Sequence, residues 1–257
     1  PTSRLTGSTR FASFTGTWAD RVDEPTVGVL GGVGPAATVY FMQRVIDLTQ
    51  AQRDQDHINM VVKQHATIPD RTAFLLGRST SNPLPVMVED ARELQAAGAT
   101  FIAMPCNTAH YFYDELQAAV DVPFVNIVDE SISAAVAATP DLSLLGVLAT
   151  DGTVRSGTYE RACQRRGLEC LVPVVAGQAE VMDIIYEGVK AGRPVPRMRL
   201  EAVIAHLRDR GCQAIVLGCT ELSVLGHQLG VPGDVIDSLD VLARRTIELC
   251  GKNVVDQ

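Results

Sequence analysis

The chain lacks several features that would fix its class at once. None of its six cysteines (Cys106, Cys163, Cys170, Cys212, Cys219, Cys250) forms a CxxC pair, so the zinc-ribbon and thioredoxin spacings are missing. No apolar stretch approaches the roughly 18–20 residues that span a bilayer, which argues against a membrane role. Lysine and arginine form no run, and the net charge is −8, so a nucleic-acid surface is not expected. A small anionic substrate stays open, because a few local cations can dominate a pocket. The first 24 residues are rich in Ser, Thr and Gly but have no apolar h-region, which sets them apart from a secretory signal. Asp20, Asp23 and Glu24 set them apart from a transit peptide. The segment reads as a flexible extension. Without a secretion signal the thiols are expected to be reduced in a cytoplasmic protein, most of them as small core hydrophobes.

What is present is an ordinary globular composition over 257 residues, 46% apolar and 20% charged. That suits one large domain or two small ones. Short β-branched runs alternate with longer amphipathic segments. Strands are expected at 26–32, 58–64, 100–105 and 123–128, with helices at 35–52, 85–97 and 108–119 between them. The series then restarts, with strands at 142–150, 168–175, 214–218 and 234–238. The helices of this half are expected at 153–166, 178–191, 195–210, 220–229 and from 239 to about 250. Such alternation implies parallel sheets flanked by helices.

The two series match. LQAAGATFIAMPC (94–106) and LRDRGCQAIVLGC (207–219) align without a gap. Val27-Gly28-Val29-Leu30 pairs with Leu145-Gly146-Val147-Leu148, and Val122-Pro123 with Val231-Pro232, at nearly the same offset. The pattern reads as a duplicated α/β unit. It implies two pseudo-symmetric Rossmann-like domains, at 25–128 and 129–238, with a C-terminal helix over 239–257 returning to the first. Ligands of open parallel sheets bind beyond the carboxyl ends of the strands. If the halves face each other, Cys106 and Cys219 flank one cleft from opposite sides.

Two facing thiols suit one chemistry in particular. Inverting a stereocentre by proton transfer needs a base on one face of a carbanion and an acid on the other. One thiolate and one thiol meet that need and exchange roles at each turnover. A helix N-terminus lowers a thiol pKa, and both cysteines precede an expected helix start. Asn107, Thr108 and Thr220 can cap those helices or bond the substrate. The Cys106–His110 spacing has no partner pair, so no metal site is expected. The loop Gly32-Val33-Gly34 after the first strand loosely fits a dinucleotide fingerprint. However, Lys63 and Gln64 stand where that fingerprint needs an acid. Its backbone N–H groups suit a carboxylate instead, although a plain tight turn needs similar glycines.

The motifs GVLGGVGPAAT, IPDRT, MPCNTAH, LATDGTVRSGTYE, IYEGVKAG and GCTEL, in this order over residues 26 to about 250, resemble the aspartate/glutamate racemase family, most of all its aspartate branch. The resemblance implies cofactor-independent racemisation of an acidic amino acid by Cys106 and Cys219 in an interdomain cleft of a homodimer. Asn107, Thr108 and Thr220 would hold the α-carboxylate or α-ammonium. Arg71 and Lys190, which alone would read as a loop salt bridge and a helix-dipole partner, become the cations for the side-chain carboxylate. Glu221 would set the environment of Cys219. By analogy with glutamate racemases, Cys219 would deprotonate the L form and Cys106 the D form. Where many relatives carry an Asn-rich segment this chain has Gln64-His65-Ala66-Thr67, so His65 is a candidate for shaping the side-chain pocket. Aspartate, glutamate or another amino acid stays open, as do a dicarboxylate isomerase or decarboxylase and a non-catalytic binder.

Overall fold

The computed structural model describes residues 24–230 and 232–255, so all of the N-terminal extension but Glu24, together with Val231 and residues 256–257, lies outside the described residues. The first half runs β1 (Thr26–Gly31), α1 (Pro35–Leu48), β2 (Asn59–Gln64), α2 (Arg71–Leu75), α3 (Leu84–Ala96) and β3 (Phe101–Ala103). A 3-10 turn at Thr108–Phe112, α4 (Tyr113–Ala118), β4 (Phe124–Val125) and α5 (Ile127–Ala138) complete it. The second half runs β5 (Leu144–Leu148), α6 (Asp151–Ser156), α7 (Thr158–Gln164), β6 (Glu169–Leu171) and α8 (Val175–Asp183). A π-helical segment (Ile184–Lys190), α9 (Arg197–Asp209), β7 (Ala214–Leu217), α10 (Thr220–Leu229), β8 (Val235–Asp237) and α11 (Ser238–Leu249) follow.

Each half forms a four-stranded, all-parallel sheet, in the orders β2-β1-β3-β4 and β6-β5-β7-β8. The two orders are the same, as a duplicated unit requires. Cys106 follows β3 and Cys219 follows β7, the equivalent strands. The likeness extends to the caps. Asn126 Oδ1 accepts from the N–H groups of Val128 and Asp129 to start α5, and Asp237 Oδ1 accepts from Leu239 and Asp240 to start α11.

α5 and α11 pack on each other, and α11 also packs on α1. Their apolar faces join both sheets in one core. Val27 and Val29 of β1, Ile127 and Ile132 of α5, Val147 of β5, and Leu242 and Ile247 of α11 all belong to it. Fully burying each such side chain stabilises the fold by roughly 1.5–3 kcal/mol. The outer face of the first sheet is covered by α3 and the segment after Cys106, through Met87, Leu94, Ala109 and Phe112. The outer face of the second is covered by α9, α10 and the π-helix, through Ile184, Ile204 and Leu222.

Several elements differ from their sequence expectation. The apolar run at 123–128 is only a two-residue strand, because the Asn126 side chain caps a helix that begins at once. The stretch after Pro173 turns into α8 rather than continuing the strand. Gly157, at φ +64°, breaks the expected helix at 153–166 into α6 and α7. A short helix, α2, lies in what reads as a loop; the Asp70 side chain caps it by accepting from Ala73 N–H at 2.6 Å. Among the described residues no helix is long and apolar enough to cross a membrane.

Candidate active site

The first thiol is set by a tight exit from β3. Cys106 N–H donates to the Met104 carbonyl at 2.8 Å, which turns the chain away from the sheet. His110 then ties this turn to the start of α5. Its Nε2 accepts from Ile127 N–H at 3.2 Å, which assigns the ring proton to Nδ1, 2.8 Å from the Cys106 carbonyl oxygen. The ring is 3% exposed, and burial holds its pKa below the ordinary value. Both nitrogens are thus committed to backbone. Among the described residues no group of three or more His, Cys, Asp or Glu side chains could hold a metal ion. The helix after Cys106 is a five-residue 3-10 turn, so the helix-dipole expectation for this thiol has no α-helix behind it.

Asn107 does not cap that turn. Its Oδ1 accepts from Tyr159 Oη–H at 2.7 Å, and its Nδ2 donates to Ser238 Oγ at 2.9 Å. Ser238 passes the chain on to the Leu217 carbonyl at 2.6 Å. Asn107, in the first half, is therefore held by two residues of the second. One amide hydrogen remains for another partner.

The second thiol is the N-cap residue of α10, in extended backbone, with no side-chain cap. Cys219 Sγ donates to Glu221 Oε2 at 2.9 Å, and Lys190 Nζ meets Glu221 Oε1 at 2.6 Å. Thr220 Oγ also points to Glu221, at 3.4 Å. Burial, and next the Glu221 carboxylate, push the Cys219 thiol well above its ordinary pKa; Lys190 offsets only part. Burial opposes the charge on Glu221 most, but Lys190 and the Cys219 hydrogen bond together hold the carboxyl below its usual range. Lys190 stays protonated for the reciprocal reason: the pull of Glu221 exceeds the cost of burying the ammonium. The group is thus Cys219 thiol, Glu221 carboxylate and Lys190 ammonium.

One cleft gathers these residues. Val33, Arg71, Cys106, Asn107, Thr108, Lys190, Cys219, Thr220 and Glu221 line it, and so do Asp70, Thr72, Thr150 and Tyr186. Its cavity is about 20 Å³, room for about one water, so a substrate enters only as lining side chains move. Arg71 is 8% exposed. Its Nη1 donates to the Ile68 and Pro69 carbonyls at 3.3 and 3.1 Å, and its buried Nε has no partner among the described residues. No described carboxylate pairs with it. Beside the cleft, the buried Thr108, Thr150 and Thr153 hydroxyls lie 2.9–3.1 Å apart, and Thr72 joins Thr150 at 3.4 Å. The Thr72 approach depends on Gly152, where a Cβ would stand 2.9 Å from Thr72 Cα.

Three expected residues stand differently. His65 does not line the cleft: its Nδ1 lies 2.9 Å from Asp90 Oδ2, on the side of α3. Gly32 gives its N–H to Thr38 Oγ at 3.1 Å and packs on the His65 backbone, where a Cβ would come within 2.3 Å. It has no N–H left for a carboxylate. Gly34, at φ +136°, leaves room beside Glu221, whose Oε1 would be 3.4 Å from an added Cβ. Sequence reasoning did not assign Asp70, Thr72, Thr150 or Tyr186 to the site, although each stands in one of the motifs IPDRT, LATDGTVRSGTYE and IYEGVKAG. Thr150 had a second signal, since it stands two residues past β5, at the carboxyl end where ligands of parallel sheets collect.

This parallel α/β fold is shared with proteins of known class. The model of the Asp/Glu/Hydantoin racemase family matches residues 30–246, and the chain belongs to that family. A broad specificity amino-acid racemase, RacX, of Bacillus subtilis is 30% identical over 232 residues, covering 86% of this chain and 96% of that protein. The structure of Picrophilus torridus aspartate racemase is 30% identical and superposes with a TM-score of 0.75, covering 90% of this chain and 96% of the other. Glutamate racemase from Francisella tularensis, solved with D-glutamate, shares the fold at 18% identity and a TM-score of 0.62, over 89% and 81% of the two chains.

The buried neutral His110 makes a pH prediction. Its folded pKa lies below the unfolded value of about 6.5. The stability it contributes is fully present above that pH and is lost as pH falls toward the folded pKa. Chemical denaturation of wild type should show stability falling between about pH 7 and 5. The part of the fall due to this ring should be missing in His110→Gln, whose baseline stability is lower. Parallel slopes in the two proteins would assign the fall to other groups.

Proposed function

We propose that the protein interconverts the L and D forms of an acidic amino acid, aspartate before glutamate, by thiol chemistry and without pyridoxal phosphate. The observation that carries this reading is that the two cysteines at duplicated strand ends line a single cleft. A substrate held between them with its Cα–H toward one thiolate presents the opposite face to the other thiol. One sulfur takes the Cα proton, the other returns its own, and the pair ends with its protons exchanged. The α-ammonium and hydrogen bonds to the α-carboxylate stabilise the carbanion; Thr108, Thr220 and the remaining Asn107 amide hydrogen are the donors on hand.

Glu221 gives Cys219 its starting state. With the carboxylate ionised and the thiol protonated, Cys219 is the proton donor, and Cys106 is the base for the enantiomer it faces. The reverse direction starts from the state the forward turnover leaves, Cys219 as thiolate and Cys106 as thiol, and Lys190 favours that thiolate.

Arg71 supports an acidic side chain. A buried guanidinium without a carboxylate is expensive, and a substrate carboxylate relieves it with two parallel N–H bonds. The aspartate racemase of P. torridus, similar over nearly the whole chain, points the same way. RacX, a broad-specificity enzyme, makes the side chain the part most in need of measurement.

A chiral assay of purified protein, without added cofactor, should show aspartate converted in both directions. Cys106→Ser and Cys219→Ser replace sulfur with a far weaker base, and each should lose at least about a hundredfold. Near-normal turnover in either would remove that cysteine from the mechanism.

Arg71→Lys keeps the charge but loses the planar fork. It should lower kcat/KM for aspartate much more than any residual turnover of asparagine. An equal fall for both would show that Arg71 does not read the side chain.

A further inference from the structure

The π-helical segment carries two side chains into the cleft, and only Lys190 has a role so far. Tyr186, one turn earlier, also lines it. On its other side the same ring lines a larger outer groove with Arg78, Val154, Gln178 and Met182. The catalytic cavity is about 20 Å³ and the groove about 650 Å³. Tyr186 is the side chain common to both linings.

The ring packs against the cation. Lys190 Nζ lies 5.5 Å from the Tyr186 ring centroid, within cation–π range. A substrate carboxylate that reaches Lys190 in the cleft comes close to the same ring, which lines that cleft too. A chain longer by one methylene carries its carboxylate more than an ångström farther, into that wall. Burial holds the Tyr186 phenol above its ordinary pKa, so the wall is neutral and does not repel an anion of the right length. The wall is also braced. Gly188 packs so closely on Val195 that a Cβ there would lie 2.4 Å from Cγ2, and a shift of the π-helix would meet that contact.

We infer that Tyr186 is a specificity-determining residue that sets the maximum length of the acidic side chain by closing the catalytic cleft off from the outer groove. The inference rests on reading the cleft as a site for an acidic amino acid. Removing the ring would join cleft and groove, and longer dicarboxylates would gain the space they lack. Phenylalanine, which keeps the ring, would preserve the limit. A merely structural role for Tyr186 would weaken all ligands together.

The experiment measures binding of succinate, glutarate and adipate by calorimetry to wild type, Tyr186→Phe, Tyr186→Val and Tyr186→Ala, so that low turnover does not obscure the result. Wild type and Tyr186→Phe should bind succinate at least tenfold more tightly than adipate. In Tyr186→Val and Tyr186→Ala that ratio should shrink at least tenfold, whatever happens to absolute affinity. The inference is overturned if wild type binds adipate as well as succinate, or if both small-residue variants keep the wild-type ratio. It is also overturned if Tyr186→Phe loses the discrimination. Wild type that discriminates by length but racemises no amino acid would defeat the proposed function and leave the wall standing.

Discussion

The site depends on the layer of helices between the two sheets. α5 and α11 begin with the same side-chain cap, at Asn126 and Asp237, and pack against each other within the core that both sheets share. Each follows the fourth strand of its sheet, so their contact fixes how the two sets of strand ends face. The cysteines add no geometry of their own. They occupy the place to which duplicated strands deliver any residue, and His110 and Ser238 tie the two strand ends to the starts of these helices. Loss of packing at α5 or α11 would therefore reach the chemistry without touching a lining residue.

Within that frame the two sides of the cleft differ. Around Cys219 a carboxylate and an ammonium are buried together, and the thiol shares the carboxylate. On the Cys106 side the adjoining turn supplies an amide, a hydroxyl and a histidine kept uncharged by burial, and among the described residues no carboxylate bonds the thiol. Symmetry of fold thus carries asymmetry of charge. The proposed mechanism needs one thiol protonated and the other not, and the Glu221–Lys190 pair supplies a physical reason for Cys219 to start with the proton.

Much of this was legible in the chain. Short apolar runs ending in Gly and Cys, repeated at an almost constant offset, gave both sheets and the equivalence of Cys106 and Cys219. α10 has the bounds its periodicity gives, Thr220–Leu229. What stayed hidden has identifiable causes. The run at 123–128 is β-branched, and nothing local announces that Asn126 will cap a helix within it. The π-helix leaves no mark in a pattern read for a period of 3.6, so Tyr186 and Lys190 read as points on an ordinary helix. His65 stood beside the motif loop, but its ring is held by Asp90, a buried acid 25 residues away. Thr72 reaches the site because Gly152, on the other half, lets it approach. Such pairings are tertiary, and no window of the sequence contains both members.

The central claim is that two thiols act on opposite faces of one carbanion. It is tested most directly by starting the reaction from a single enantiomer in deuterated water and following deuterium at Cα in both pools. If each thiol serves one face, the product carries solvent deuterium from the first turnovers while the remaining substrate stays almost unlabelled. Equal early labelling of both pools would mean that one base serves both faces, and would contradict the account.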